Sequence, residues 1–443
     1  MIFDQHASLR KEKISPEESD PNTKYIGLEH IGEGTLSLNG FGHASDVNSS
    51  KAIFKKGDIL FGKLRPYFRK VIIVPFDGIC STDIWVVKPK NGIDRNFLFY
   101  WMASQDFVDE VTRSSEGTRM PRAKWEVASK IEIPDVEIGK QKKIGEILYT
   151  LDQKIHLNQQ TNKTLEAMAQ AIFKSWFVDF DPVRAKIEAT SVGRDPNRAA
   201  MAAIAGISLD QALDEVESAL NRKLEHMSDA QRTQLRETAE LFPDELVESE
   251  IGEVPKGWEV KSLDEIADYL NGRAMQKYPS EEGKPTLPVL KIAQLRKGDT
   301  EGADIATDDI PERFKVYDGD MIFSWSGSLL IKLWAGGDAA LNQHLFKVTS
   351  DRYDQWFYYH WTRHHLDNFI RIAESKAVTM GHIKRSHLKE AKCAIPTSEL
   401  LEFGKQHIEP LLAQGLHLKL ESRNLAELRD TLLPKLISGE IGI

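Results

Sequence analysis

Three stretches of this chain gather cationic side chains with no acidic residue among them. FGKLRPYFRK carries Lys63, Arg65, Arg69 and Lys70; GTRMPRAKW carries Arg119, Arg122 and Lys124; TMGHIKRSH carries His382, Lys384 and Arg385. Cationic groups neutralise phosphates, and Arg, Asn, Gln, Ser and Thr can read base edges by hydrogen bonding. A solvated basic face accounts for any one such cluster equally well. Two short polar strings, Ser81-Thr82-Asp83 and Asn342-Gln343-His344, lie in corresponding places of the chain, as do Ser324 and Ser326 beside the first cluster's counterpart.

Other groupings suggest catalysis and then fail on spacing. His360 and His364 stand at i and i+4 with His365 beside them, but no third zinc ligand follows at a familiar interval. Pro134-Asp135 and Asp152-Gln153-Lys154 resemble a metal-nuclease string, yet Asp152 adjoins an apolar helical position rather than a strand. There is no GxxxxGK[ST] phosphate loop, no glycine-rich loop for a nucleotide or S-adenosylmethionine, and no [DNS]PP[YFW] motif for a flipped base. Cys80 and Cys393 sit in apolar runs and read as buried, reduced thiols. The residues assign no catalytic or metal site.

The 443 residues are 41% hydrophobic and 28% charged, an ordinary globular composition. No apolar run is long enough to span a membrane, and residues 1–18 lack the apolar core of a signal peptide, so a cytoplasmic protein is expected. The net charge of -9 argues mildly against a nucleic-acid partner. It arises between Ile187 and Val254, where 15 acidic residues face 6 basic ones, and the remainder is balanced.

What positions the clusters is a duplication with a long period. KKGDILFGKLRP matches YDGDMIFSWSGS, CSTDIWVV matches LNQHLFKV, NFLFYWM matches WFYYHWT, and SKIEIP matches AKCAIP, always at offsets of 260 to 262 residues. Five segments in one order, counting the helices below, describe a duplicated domain rather than a solenoid unit. Each copy reads as mixed α/β, with Gly-Asp turns entering strands and aromatic helices from Asn96 and Gln355.

Each copy ends in a long amphipathic helix. Ile144, Leu148, Leu151 and Ile155 step by four, three and four, and Leu165, Met168 and Ile172 continue the stripe. Leu411, Leu418, Leu425 and Leu432 repeat at seven, with Leu428 and Leu436 placed on the same face. Asn158 and Asn162 interrupt the first seam, where buried Asn fixes register. About 35 helical residues span roughly 50 Å, and the two stripes pair most simply as an antiparallel coiled coil. The expected layout is a first head over 1–139, a spacer helix over 140–180, an acidic helical insertion or linker over 181–250, a second head over 251–397 and a second spacer helix over 398–443.

Four strings, AMAQAIFKSWFVDFDPVRAK, IGEVPKGWEVKSLDEIADYLNGRA, GDILFGKLRP and LRDTLLPKLISGEI, together resemble the specificity subunits of type I restriction-modification enzymes. The resemblance spans about Lys24–Lys186 and Phe242–Ile443. It implies two target-recognition domains separated by conserved helices, each domain reading half of an asymmetric double-stranded DNA site about one helical turn, roughly 34 Å, apart. It also implies that the subunit is not itself an enzyme and that its helices, including Phe173 and Trp176, dock two modification subunits. S-adenosylmethionine, ATP and Mg²⁺ would then sit on modification and restriction subunits. A DNA-modifying enzyme acting alone and a coiled-coil scaffold are the competing readings. On this resemblance the DNA-facing residues are Lys63, Arg65, Arg69, Ser81, Thr82, Arg119, Arg122 and Lys124 in the first head. In the second they are Ser324, Ser326, Asn342, Gln343, His344, His382, Lys384 and Arg385. The first head lacks a PKGWEV-like lead-in, which leaves its start open.

Overall fold

The computed structural model describes residues 1–113, 120–375 and 381–442. The chain divides into two compact units, Met1–Gln159 with Glu421–Ile443, and Gln160–Leu420. Each holds one head and part of both long helices.

In the first unit an antiparallel sheet runs in the order Ala7–Leu9, Ile84–Pro89, Ile59–Gly62, Val71–Ile73. A second sheet runs Lys13–Ile14, Lys51–Phe54, Gly78–Cys80, Lys24–Ile26, Gly42–His43, with Lys24–Ile26 parallel to Gly78–Cys80. Alternation splits the central strands between two cores. Phe61 and Trp85 face the helix Arg95–Met102, whose first turn Asp94 caps through the Phe97 amide at 3.0 Å, while Leu60 and Val86 face the second sheet.

The second head repeats this plan. Its antiparallel sheet runs Asp268–Asn271, Leu345–Thr349, Met321–Ser324, Leu330–Leu333, and a mixed sheet pairs Thr286–Leu290 in parallel with Ala339–Leu341. Ile59 pairs with Val87 as Met321 pairs with Val348. The turns before these strands place Gly57 at φ 89° and Gly319 at φ 96°, the left-handed region that glycine enters freely. The duplication thus extends to strand register.

One sequence match is out by two residues. Glu132 bridges Ile2 as Lys392 pairs with Ser262, and Phe3 N donates to Ile131 O as Leu263 N donates to Ala391 O. Ala394, not Pro396, therefore corresponds to Pro134. The Ile2 bridge stands where the strand Glu259–Ser262 pairs in the second head, and the short helix Leu263–Ile266 after that strand has its counterpart in Phe3–His6.

The first spacer helix covers Ile138–Phe173 and continues as a π turn through Val178; the second covers Ser398–Ser438. Within each unit they run antiparallel. In the first unit Asn158 meets Glu421 and Asp152 meets Arg429; in the second Glu166 meets Lys419 and Trp176 lies against Phe403 and His407. Leu418 is buried, and Leu151, Leu165, Ile172, Leu411, Leu425 and Leu432 are half-buried. Two expected seam residues are not on the seam: Met168 is 48% exposed beside buried Ala169, and Leu428 is 46% exposed beside buried Arg429. Phe173 and Trp176, expected to dock partners, are instead 2% exposed in the core of the second unit.

The stretch read as an insertion or linker is folded. The helix Asp181–Ser191 sends Val183 into the main core, and buried Lys186 donates to Phe242 O at 2.5 Å. Helices Pro196–Ile204, Leu213–Glu225 and Asp229–Leu241 close around Met201, Val216, Leu220 and Leu235, and Leu246–Ser249 pairs with Gly252–Pro255.

Candidate nucleic-acid interface

In each head three separate segments are drawn together at the end of one central strand. In the first, Ile59–Gly62 runs out through Lys63, Leu64 and Arg65. Leu64 bridges Arg122, Lys63 O accepts from Ala123 N at 2.8 Å, and Arg65 N donates to Pro121 O at 2.8 Å. Lys63 N also donates to Asp83 O at 2.9 Å, and Arg122 grips the Asp83 carboxylate through Nε at 2.9 Å and Nη2 at 3.3 Å. Residues 63–69, 81–83 and 120–124 therefore form one surface.

The second head makes the same bonds with other side chains. Ser326 bridges His382, Trp325 O accepts from Ile383 N at 3.0 Å, and Gly327 N donates to Gly381 O at 2.8 Å. Ser326 Oγ lies 3.1 Å from His344 Nδ1, and the Trp325 ring lies against His344 and His382. Lys63 thus corresponds to Trp325, Arg65 to Gly327, and Arg122 to His382. A common backbone frame carries different chemistry in its two copies.

The expected residues divide accordingly. Arg65, Thr82, Arg122 and Lys124 are exposed, and Lys63 and Ser81 are half-buried at the same surface. Among the described residues the side chains of Lys63, Arg65 and Lys124 have no hydrogen-bond or ion-pair partner, so their charge is available to a ligand. In the second head His382 and Lys384 are exposed, while Gln343 and His344 are half-buried, 3.4 Å apart through their nitrogens. Arg119 lies outside the described residues.

Five expectations are corrected. Arg69 does not face outward: its Nη2 donates to Gly34 O at 3.0 Å and Asp430 Oδ2 at 2.9 Å. Ser324 is fully buried and donates to Ser326 O at 3.2 Å, Ser326 is 3% exposed, and Asn342 is 4% exposed at a bridge with Arg273. These three hold the frame rather than line it. Arg385 folds back onto its own head, donating to Tyr269 O at 3.0 Å with its guanidinium 5.7 Å from the Phe346 ring centre. In exchange the surface includes Trp325, whose Nε1 donates to Asn271 Oδ1 at 2.9 Å, Arg296, which donates to Ser328 Oγ, and Tyr67, half-exposed between Arg65 and Arg69. An aromatic inside a basic string, and Asn271-Gly272-Arg273 at a strand end, were the available signals for them.

The groupings that resembled catalytic sites are structural. Burial pushes His360 down to about 3 and His365 to about 4, so both imidazoles are neutral in the core; His360 stacks on Phe173 and His365 Nε2 lies 2.9 Å from Lys392 O. Asp152 divides its oxygens between Arg429 Nη1 and the Tyr100 hydroxyl, each at 2.6 Å. Among the described residues no cluster of His, Cys, Asp and Glu could hold a metal ion.

Two homologous heads with one frame and divergent tips, each joined to a long helix, define a bipartite recognition protein. Residues 8–167 and 255–425 match the type I restriction modification DNA specificity domain, and the chain belongs to that family: it is a DNA-recognition subunit, with catalysis left to other subunits. It is 28% identical to the type I restriction enzyme HindI specificity subunit of Haemophilus influenzae, over 94% of this chain and 95% of that one. It is 23% identical to the MjaIX specificity subunit of Methanocaldococcus jannaschii, over 89% of this chain and 80% of its relative. Among solved structures it is similar to a type I restriction-modification S subunit from M. genitalium, at 14% identity and a TM-score of 0.49, covering 98% of this chain and 95% of that one.

Proposed function

We propose that each head reads one half of an asymmetric, bipartite DNA target through its three-segment surface, the first through residues 63–67, 81–83 and 120–124, the second through 325–328, 343–344 and 382–384. The two spacer helices set the distance between the half-sites and dock two modification subunits, which carry S-adenosylmethionine; restriction subunits bring ATP and Mg²⁺. The assembly works in the cytoplasm, and among the described residues no helix is long and apolar enough to cross a membrane. The observation that carries this reading is the repeated bridge, Leu64 to Arg122 and Ser326 to His382, which keeps the frame constant while the exposed chemistry changes. Specificity for two unlike sequences needs that combination, since phosphate contacts set register and a few side chains set sequence.

The test is a head exchange. Residues 1–134 are replaced by the corresponding head of a relative, the chain is co-expressed with its modification subunits, and methylated sites are mapped across the host genome. One half of the target should change and the other should persist. A target that stays intact, or changes in both halves, overturns the assignment.

A further inference from the structure

The loop after the first head's central strand contains a residue that its backbone disfavours. The position following the bridge is left-handed in both heads. In the second it is Gly327 at φ 63°; in the first it is Arg65 at φ 50°. The backbone bonds at the two positions are the same, Arg65 N to Pro121 O and Gly327 N to Gly381 O. Glycine takes this conformation freely, whereas a Cβ is strained in it. The first head closes its loop with another strained residue, Arg69 at φ 48°. Such strain persists where the surroundings over-determine it, and it gathers at binding sites.

Those surroundings are visible. Pro66 is buried, Phe68 N donates to Arg65 O at 3.0 Å, and Arg69 is tied to Gly34 O and Asp430. Between the two left-handed residues Tyr67 stands 50% exposed, its ring braced edge-on by Phe68 at 4.9 Å. Arg65 is exposed, with no acceptor among the described residues. A diffuse phosphate contact needs no such rigidity, and the neighbouring Lys63 and Lys124 supply charge from unstrained backbone. A bidentate contact to a base edge does need a planar fork held in one place.

We propose that Arg65 and Tyr67 form the base-reading tip of the first head. Arg65 takes O6 and N7 of a guanine in the major groove, and Tyr67 packs its ring on the adjoining base. This rests on the DNA-recognition reading above and narrows it to a residue pair and a base.

The full chain, co-expressed with its modification subunits, is tested as Arg65→Gly, Arg65→Lys and Tyr67→Ala by genome-wide methylation mapping and thermal melting. Arg65→Gly should melt at or above the wild-type temperature, because the strain is relieved. It should also lower methylation at target sites about tenfold, or remove one guanine from one half-site only. Arg65→Lys should behave like Arg65→Gly in mapping, since it keeps the charge and loses the fork. Tyr67→Ala should weaken the position next to that guanine. Wild-type methylation in Arg65→Gly, or full activity in Arg65→Lys, overturns the tip. If Lys63→Ala and Arg122→Ala still lower methylation in that case, only the tip falls. If they too are neutral, the DNA-facing assignment of the first head falls with it.

Discussion

Arg122 holds the first head's surface together while remaining half open to water. From the loop before the short helix Trp125–Ala128 its guanidinium bridges to Asp83, and its side chain keeps 47% of its exposure. An exposed pair of this kind adds little to stability, so its value lies in placing charge. Arg122→Ala should therefore leave the melting temperature near wild type and weaken DNA binding by the assembled complex. It should also reduce the slope of log K against log salt by about one, the signature of one lost phosphate contact. An unchanged slope would make Arg122 a loop fastener only. Asp430 gives a prediction with pH. Burial alone would raise its carboxyl, but Arg429 and Arg69 outweigh burial and hold it below the usual range. Its stabilising effect is thus complete above the unfolded carboxylate range and is lost as the pH falls through the lower, folded value. Asp430→Asn should flatten the acid limb of stability below the ordinary carboxylate range, read by denaturant unfolding at several pH values; parallel acid limbs would contradict it. At this scale the exposure of Lys124, Arg65 and Lys384 was legible from their loop sequences, whereas the inward turn of Arg69 and the burial of polar residues at strand ends were not. Ser324 looks like a reader because it is polar and next to a cluster, yet it lies on the buried end of a strand whose four residues are all buried. Arg69 finds its partner 361 residues away, a distance over which local pattern carries no information.

The spacer helices show the same division at the level of elements. Their existence follows from apolar periodicity; the first, with its π turn, covers 138–178 where 140–180 is expected, and the second starts at Ser398 as expected but ends at Ser438 rather than 443. The faces were less legible. A straight helix drifts against a seven-residue repeat, and the helices exchange neighbours along their length: Ile144 and Leu148 enter the first head's core with Leu433 and Leu436, while Phe173 and Trp176 enter the second's. Hence Leu428 and Met168, correct by spacing, lie outside the buried stripe. Polar residues occupy it instead. Asn158 Nδ2 donates to Glu421 at 2.7 Å, and Arg429, with 3% of its side chain exposed, is held by Asp152 at 2.6 Å and Asp430 at 2.9 Å. Removing one partner of a buried pair leaves the other charge uncompensated. Arg429→Ala should then destabilise the first unit by about 3–5 kcal/mol, measured by chemical denaturation. A loss under about 1 kcal/mol would show that water replaces the arginine and that the pair does not fix helix register.

For the molecule as a whole, the duplication was legible because it repeats over long segments, and because turns, strands and helices recur in one order. Its details were not, since equivalence is set by hydrogen bonding: the Ile2–Glu132 bridge moves the last match by two residues. The acidic stretch was legible as a helical insertion or linker, but the small core its helices close around, with Met201, Val216, Leu220 and Leu235, is set by packing between helices that no single periodicity shows. What the duplication accomplishes depends on the helices, each of which runs unbroken across the division between the units at Gln159–Gln160 and Leu420–Glu421. If they set the spacing of the half-sites, their length should be written into the target. Inserting seven residues after Gln159 and seven after Leu420 adds about 10 Å to each helix at 1.5 Å per residue and turns it by only about 20° from the heptad phase. At about 3.4 Å per base pair, the methylated half-sites should move apart by about three base pairs while both half-site sequences stay the same. The insertion must be made in both helices, because with a single one the pairs Asn158–Glu421 and Glu166–Lys419 could not both be kept. The double insertion should therefore keep the melting behaviour that either single insertion loses. A stable double variant that methylates sites of unchanged spacing would show that something other than the helices measures the DNA.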